Sequence, residues 1–163
     1  MIMPMTFLIR DFDLARDKAA ALLFIEGSQA YEHEVEENRR LDAAVANDYL
    51  PVLLEEIAAK RGRIFVAERD GVAIGWAGVT REEHPVFVIE AARAFGYITE
   101  LFVAAAARGS GVGQALMSAC EAEARRCGLK QIVIGVLSAN KRTADIYERA
   151  GFQPYTAELR KYL

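Results

Sequence analysis

Apolar positions along this chain fall into short β-like runs and longer amphipathic stretches, punctuated by glycines. Residues 6–10 read as a short strand. Asp13 follows as a helix cap, with Leu14, Leu22 and Ile25 as apolar marks. Gly27-Ser28 interrupts that helix, and a polar helical pattern resumes over residues 31–37. A second helix is predicted over residues 47–61, with Val52, Leu53, Ile57 and Ala58 as its buried stripe and Pro51 near its first turn. Two β-rich runs then flank Asp70-Gly71, the strongest short hairpin signal. Gly75 and Gly78, inside the second run, mark a bulge or a close backbone approach.

Residues 82–95 are ambiguous, with a short strand at 86–89 and then a loop. A strand is predicted over residues 96–103 and a helix over 111–127, stopped by Gly128. Residues 131–137 form an apolar run of the buried-strand type. A short helix over 141–150 is capped by Asn140 and stopped by Gly151. Residues 152–155 and 158–163 read as closing strands.

The hairpin requires antiparallel pairing, and the strand–helix–strand unit over 97–137 requires a parallel pair with a right-handed crossover. The expected fold is therefore α/β (α+β): a mixed, mostly antiparallel sheet of six to seven strands with helices on both faces. No repeat, linker or low-complexity tract divides the 163 residues, so residues 1–163 are read as one domain.

Composition narrows the classes. A hydrophobic fraction of 53% beside 26% charged residues is that of a soluble globular chain. Net charge is −3, so nucleic acid is not the expected partner. No apolar run approaches the ~20 residues of a membrane span. The start, Met1-Ile2-Met3-Pro4-Met5, carries no basic residue, and Arg10 and Asp11 arrive too soon for a signal peptide. Cys120 and Cys127 lie seven apart in a helical pattern, too far to bridge, and a cytoplasmic setting is expected. His33 and His84 are isolated, without metal-ligand spacing, so no metal is expected. The charge is uneven: residues 1–62 carry a net −5 and residues 63–163 a net +2.

The chemistry concentrates where the strand ending at Val103 meets the helix after residue 111. Gly109, Gly111 and Gly113 let a backbone turn sharply and let a ligand come close. Free N–H groups at the helix start attract phosphate, and Arg108 adds charge at the rim. The spacing Gly-x-Gly-x-Gly is not the dinucleotide fingerprint, and no Gly-Lys-Ser/Thr of a nucleoside-triphosphate loop occurs. Taken alone, the turn is equally compatible with plain packing of a helix on a sheet.

Two motifs together decide between these. Arg108-x-x-Gly111-x-Gly113 and, downstream, the block from Asn140 through Ala144 and Tyr147 to Gly151-Phe152 resemble the GCN5-related N-acetyltransferase (GNAT) superfamily. The likeness is strong over residues 96–155. It implies a splay between the strand before the turn and its parallel neighbour. It implies acetyl-CoA as co-substrate, with Leu101, Phe102 and Val103 along the pantetheine arm and Arg108, Gly109, Ser110, Gly111, Val112 and Gly113 around the pyrophosphate. Asn140 would meet the arm from the far side, a role compatible with helix capping. The family often has Pro where Ala105 stands, which implies a less rigid loop here.

The resemblance also implies an acceptor, a small-molecule or peptide amine. An alkyl amine with pKa near ~10 must lose a proton before attack, and Glu100 is the candidate base, against a reading as a solvated or ion-paired carboxylate. The leaving thiolate, with pKa near ~8.5, benefits from a proton donor, and Tyr147 is the candidate acid, against a reading as a core tyrosine. The expected activity is acetyl transfer by direct attack in a ternary complex. The alternative is a catalytically silent acyl-CoA-binding module. A homodimer is compatible with the family. Glu32, Glu34, Glu36 and Glu37 lie where the acceptor surface begins, and equally suit a solvated helix face.

Overall fold

A computed structural model describes residues 6–163; the run Met1–Met5, read above for a targeting signal, lies outside them. Five strands form one sheet in the order β1-β2-β3-β4-β5. They are β1 (Leu8–Asp11), β2 (Arg63–Arg69), β3 (Val72–Glu83), β4 (Ala94–Val103) and β5 (Ile132–Ile134). The first three pairings are antiparallel and β4 with β5 is parallel. The helices are α1 (Leu14–His33), α2 (Val45–Ala59), the short α3 (Glu90–Arg93), α4 (Val112–Arg126) and α5 (Lys141–Arg149).

The sheet is buried on both sides, which is why its strands read as continuous apolar runs. On β2, Ile64 and Val66 face α1 and α2 with Trp76, while Phe65 and Ala67 face α4 with Val112, Leu116 and Cys120. Asp70 (φ 52°) and Gly71 (φ 79°) both take the left-handed conformation of the expected hairpin turn. Gly75 is a close approach, since a Cβ there would lie 2.7 Å from the Phe102 carbonyl oxygen. Gly78 begins a register shift, because Gly78 faces Glu100 while Val79 faces Ile98, which leaves Thr99 as the bulged residue.

Several expectations are corrected. α1 runs unbroken through Gly27-Ser28. Gly27 is there for proximity, since a Cβ would lie 2.5 Å from Cζ of Phe102 beneath it. The stripe on α2 is Val45, Ala46, Leu50, Leu53 and Ile57, while Val52 and Ala58 are exposed. Residues 86–89 form no strand: Val88 N–H donates to the Pro85 carbonyl, and Val86, Phe87 and Ile89 are exposed. Within the alanine run 104–107, Ala105–Ala107 form a 3-10 turn, closed by Ala107 N–H to the Ala104 carbonyl at 2.8 Å. Of the two cysteines, Cys120 is fully buried on α4, whereas Cys127, at the end of that helix, is exposed.

Among the described residues the sheet has five strands instead of six or seven, because residues 152–163 join no ladder. Pro154 lacks a ladder donor, and Leu159, Tyr162 and Leu163 do not alternate, so neither segment offers one apolar face to the edge of β5. The segment instead lies exposed along the surface, with Arg160 paired to Glu36 at 2.9 Å. Among the described residues no helix is long and apolar enough to cross a membrane.

Candidate functional site

The site begins where β4 outruns β5. Only Gly96, Tyr97 and Ile98 pair with Ile132, Val133 and Ile134. From Thr99 to Val103 the β5-facing edge of β4 has no strand partner, so the two strands part. A cleft of about 320 Å³ opens at this divergence. Glu32 of α1, Tyr49 of α2, Thr99 and Glu100 of β4, and Tyr147 of α5 contribute to its wall. Glu100 and Tyr147, forty-seven positions apart in the chain, therefore share one cavity.

Glu100 is half-buried, and Oε1 accepts a hydrogen bond from the Tyr49 hydroxyl at 2.6 Å. Burial pushes its carboxyl up to about 7, the Tyr49 hydroxyl pulls the other way, and the charges of Glu32 and Glu56 add to the rise. Tyr147 stands against Phe152 with ring centroids 6.1 Å apart. Burial, then the Glu32 charge, pushes its hydroxyl up to about 12, so it carries its proton at neutral pH. A carboxyl that ionises near neutrality can take up a proton there, and a hydroxyl that keeps its proton has one to give.

The glycine turn lies at the end of β4. Gly109 (φ 75°) and Gly111 (φ 86°) are left-handed, and a Cβ at either would meet nothing within 4 Å. Gly111 caps α4 without any side-chain hydrogen bond, which leaves the first N–H groups of the helix to a ligand. Val112 is buried, so only its backbone can serve; Gly113 is the next helical residue. Ser110 turns inward, its hydroxyl donating to the Ala107 carbonyl at 2.6 Å and accepting from Arg69 at 3.3 Å. Arg108 folds back, its Nε donating to the Val103 carbonyl at 3.0 Å and its guanidinium lying over the rings of Tyr31 and Phe102. The side chains of Leu101 and Val103 pack on the α4 side, and Phe102 packs beneath α1.

Asn140 is buried, and its Oδ1 accepts from Thr143 N–H at 3.1 Å as a helix cap. The Tyr31 hydroxyl donates to the same oxygen at 3.4 Å. Tyr31 thus reaches from Arg108 on one side of the splay to Asn140 on the other. Of the acidic run, Glu32 lines the cleft, paired to Arg39 at 2.6 Å, while Glu36 is tied to Arg160. Sequence reasoning missed Tyr49 and Tyr31. Tyr49 lies beside the apolar Leu50–Leu53–Ile57 stripe, where an amphipathic ring ends in a cleft wall, and that offset was its one available signal.

The model of the acetyltransferase (GNAT) family matches residues 27–152, which is more than three quarters of the chain. The chain belongs to the GNAT acetyltransferase family. Mycothiol acetyltransferase of Parafrankia sp. (strain EAN1pec) is 28% identical over 174 residues, covering 97% of this chain and 50% of that protein. The chain thus spans about half the length of that curated relative. A GCN5-related N-acetyltransferase from Ralstonia eutropha JMP134 superposes with a TM-score of 0.73 at 26% identity, covering 97% and 99% of the two chains. A structure from Clostridium acetobutylicum, described as a predicted acetyltransferase with acetyl-CoA, gives a TM-score of 0.73 at 18% identity over 96% of each chain. This GNAT chain keeps the splayed β4–β5 pair and the glycine turn on a sheet whose last edge is left open.

Proposed function

We propose that residues 1–163 act as one acyltransferase domain that moves an acetyl group from acetyl-CoA to a primary amine by direct attack within a ternary complex. The observation that carries this reading is the shared cleft: Glu100 and Tyr147 line one cavity at the end of the strand that leads into the glycine turn. A binding module needs neither group there. The chain fits the co-substrate. Backbone groups of Leu101, Phe102 and Val103 on the unpaired edge suit the amides of the pantetheine arm, and the N–H groups of residues 109–113 suit its pyrophosphate. Arg108 would release the Val103 carbonyl and neutralise phosphate. Asn140, already the cap of α5, borders the arm's far side.

Acetyl-CoA, when bound, supplies the activated acetyl group as a thioester. Glu100 takes one proton from the acceptor's ammonium, and the freed amine can attack. Tyr147 gives one proton to the departing sulfur, the second proton that the nitrogen loses on attack restores the Tyr147 hydroxyl, and an amide, a thiol and a protonated Glu100 result. Glu100 and Glu32, the latter paired to Arg39, put two carboxyls on the cleft wall, and among the described residues no Lys or Arg lines it, which favours a cationic acceptor. The setting proposed is cytoplasmic.

The test incubates the protein with acetyl-CoA and panels of polyamines, amino acids, aminoglycosides and peptide N-termini, and follows free thiol. Turnover with at least one amine is expected, together with thermal stabilisation by CoA. Stabilisation without turnover of any amine would replace the enzyme by a silent acyl-CoA-binding module. Absence of stabilisation would overturn the co-substrate assignment.

A further inference from the structure

The Glu100 carboxylate has other carboxylates nearby and, among the described residues, one hydrogen-bond donor. Glu32 lines the cleft with it from α1, Tyr49 from α2 and Tyr147 from α5, and Glu56 of α2 acts on it by charge from outside that lining. Both acidic neighbours are paired, Glu32 to Arg39 at 2.6 Å and Glu56 to Lys60 at 2.7 Å, and among the described residues no Lys or Arg lines the cleft itself. Only the Tyr49 hydroxyl bonds the carboxylate, at Oε1 and 2.6 Å, while Oε2 accepts no hydrogen bond from the described residues. The short distance is that of a charge-assisted bond.

The donor is firmly placed. Its helix is anchored by Leu50, Leu53 and Ile57, all buried against the sheet. The bond joins α2 to β4 across fifty-one positions of sequence. Burial and the neighbouring Glu100 charge hold the Tyr49 hydroxyl protonated, so it has a proton to donate to the carboxylate.

We propose that Tyr49 is a positioning residue for the Glu100 base: it fixes Oε1 and so leaves Oε2 as the oxygen that takes the acceptor's proton. The inference rests on the transferase reading above. It goes beyond that reading in giving α2 a part in the chemistry, through an aromatic hydroxyl rather than a cation. Carboxylate rotation is restrained, and the ionised form is stabilised without a fixed positive charge that would repel an ammonium substrate.

Tyr49→Phe keeps the ring and deletes the donor. Without it the carboxylate is less stable, so the acidic limb of the kcat/KM profile should move to higher pH by about one unit. The loss should fall mainly on kcat, and Tyr49→Phe combined with Glu100→Gln should be no slower than Glu100→Gln alone. A second readout needs no acceptor: the ¹³C resonance of the Glu100 carboxyl, titrated by NMR in both proteins, should show its midpoint raised by a similar amount in Tyr49→Phe. An unmoved NMR midpoint, with turnover intact, overturns the role of Tyr49 alone. A raised midpoint in a protein that acetylates no amine overturns the transferase reading instead.

Discussion

Replacing Glu100 by Gln should make the protein more stable and less active, and both effects should depend on pH. The Glu100 carboxyl is raised from an ordinary 4.5 to about 7, chiefly by burial. Between those values the folded state holds a proton that the unfolded chain releases. Stability is therefore full below the lower value and is lost as pH rises through the upper one. A gap of about 2.5 pH units at ~1.36 kcal/mol each is about 3 kcal/mol, and the partial solvent contact of Glu100 reduces this to about 2 kcal/mol. Gln has nearly the same shape, keeps a carbonyl oxygen for the Tyr49 hydroxyl and never ionises. Urea unfolding followed by circular dichroism at several pH values would read the difference between the two proteins. They should be about equally stable near pH 4.5, and the variant should lead by about 2 kcal/mol at pH 8. Acetyl transfer at pH 8 should fall at least about a hundredfold, the usual weight of a general base. A stability difference that ignores pH would refute the buried-charge account. A variant with undiminished turnover would refute the base.

The remaining predictions address the other parts of the site and its supports. Tyr147→Phe should lower kcat about a hundredfold with CoA affinity nearly unchanged, measured by thiol release and calorimetry; full turnover would remove the acid role. Gly111→Glu places bulk and negative charge at the open start of α4 and should weaken CoA binding roughly a hundredfold or more in a calorimetric titration. Gly27→Leu drives a side chain into the Phe102 ring, so it should destabilise by about 1–3 kcal/mol and perturb β4 beside the cleft, both visible in thermal melts and turnover. Glu123, held at about 2 by Arg126 and Arg63, should make Glu123→Gln less stable by about 2 kcal/mol at pH 7. Because its folded value is depressed, that deficit should shrink as pH falls from 4.5 toward 2, as read by chemical denaturation.

The local elements were legible because their signals are local. Asp13 and Asn140 cap helices through hydrogen bonds two and three residues ahead, and Asp70-Gly71 turns because its own backbone goes left-handed. The glycine turn declared itself the same way, through Gly109 and Gly111. The errors arose where a residue's purpose lay elsewhere in space. Gly27 looks like a break in sequence, but it is the contact point between α1 and the Phe102 ring. The closing strands looked plausible as segments, yet neither offers one apolar face to the edge of β5, and they join no ladder.

The resemblance of two motifs to the GNAT family pointed to Glu100 and Tyr147 as candidates to move protons; by itself, the sequence determined the hairpin, the caps and the glycine turn. Those depend on residue chemistry and on spacing within one element. Only the tertiary structure decided that β4 parts from β5 after Ile98, that Glu100 and Tyr147 therefore face one cleft, and that Tyr49 holds the carboxylate there. Burial and charge proximity are properties of neighbours brought together across the chain. The rise of Glu100 to about 7 comes from that enclosure, and residue identity alone would leave it at 4.5.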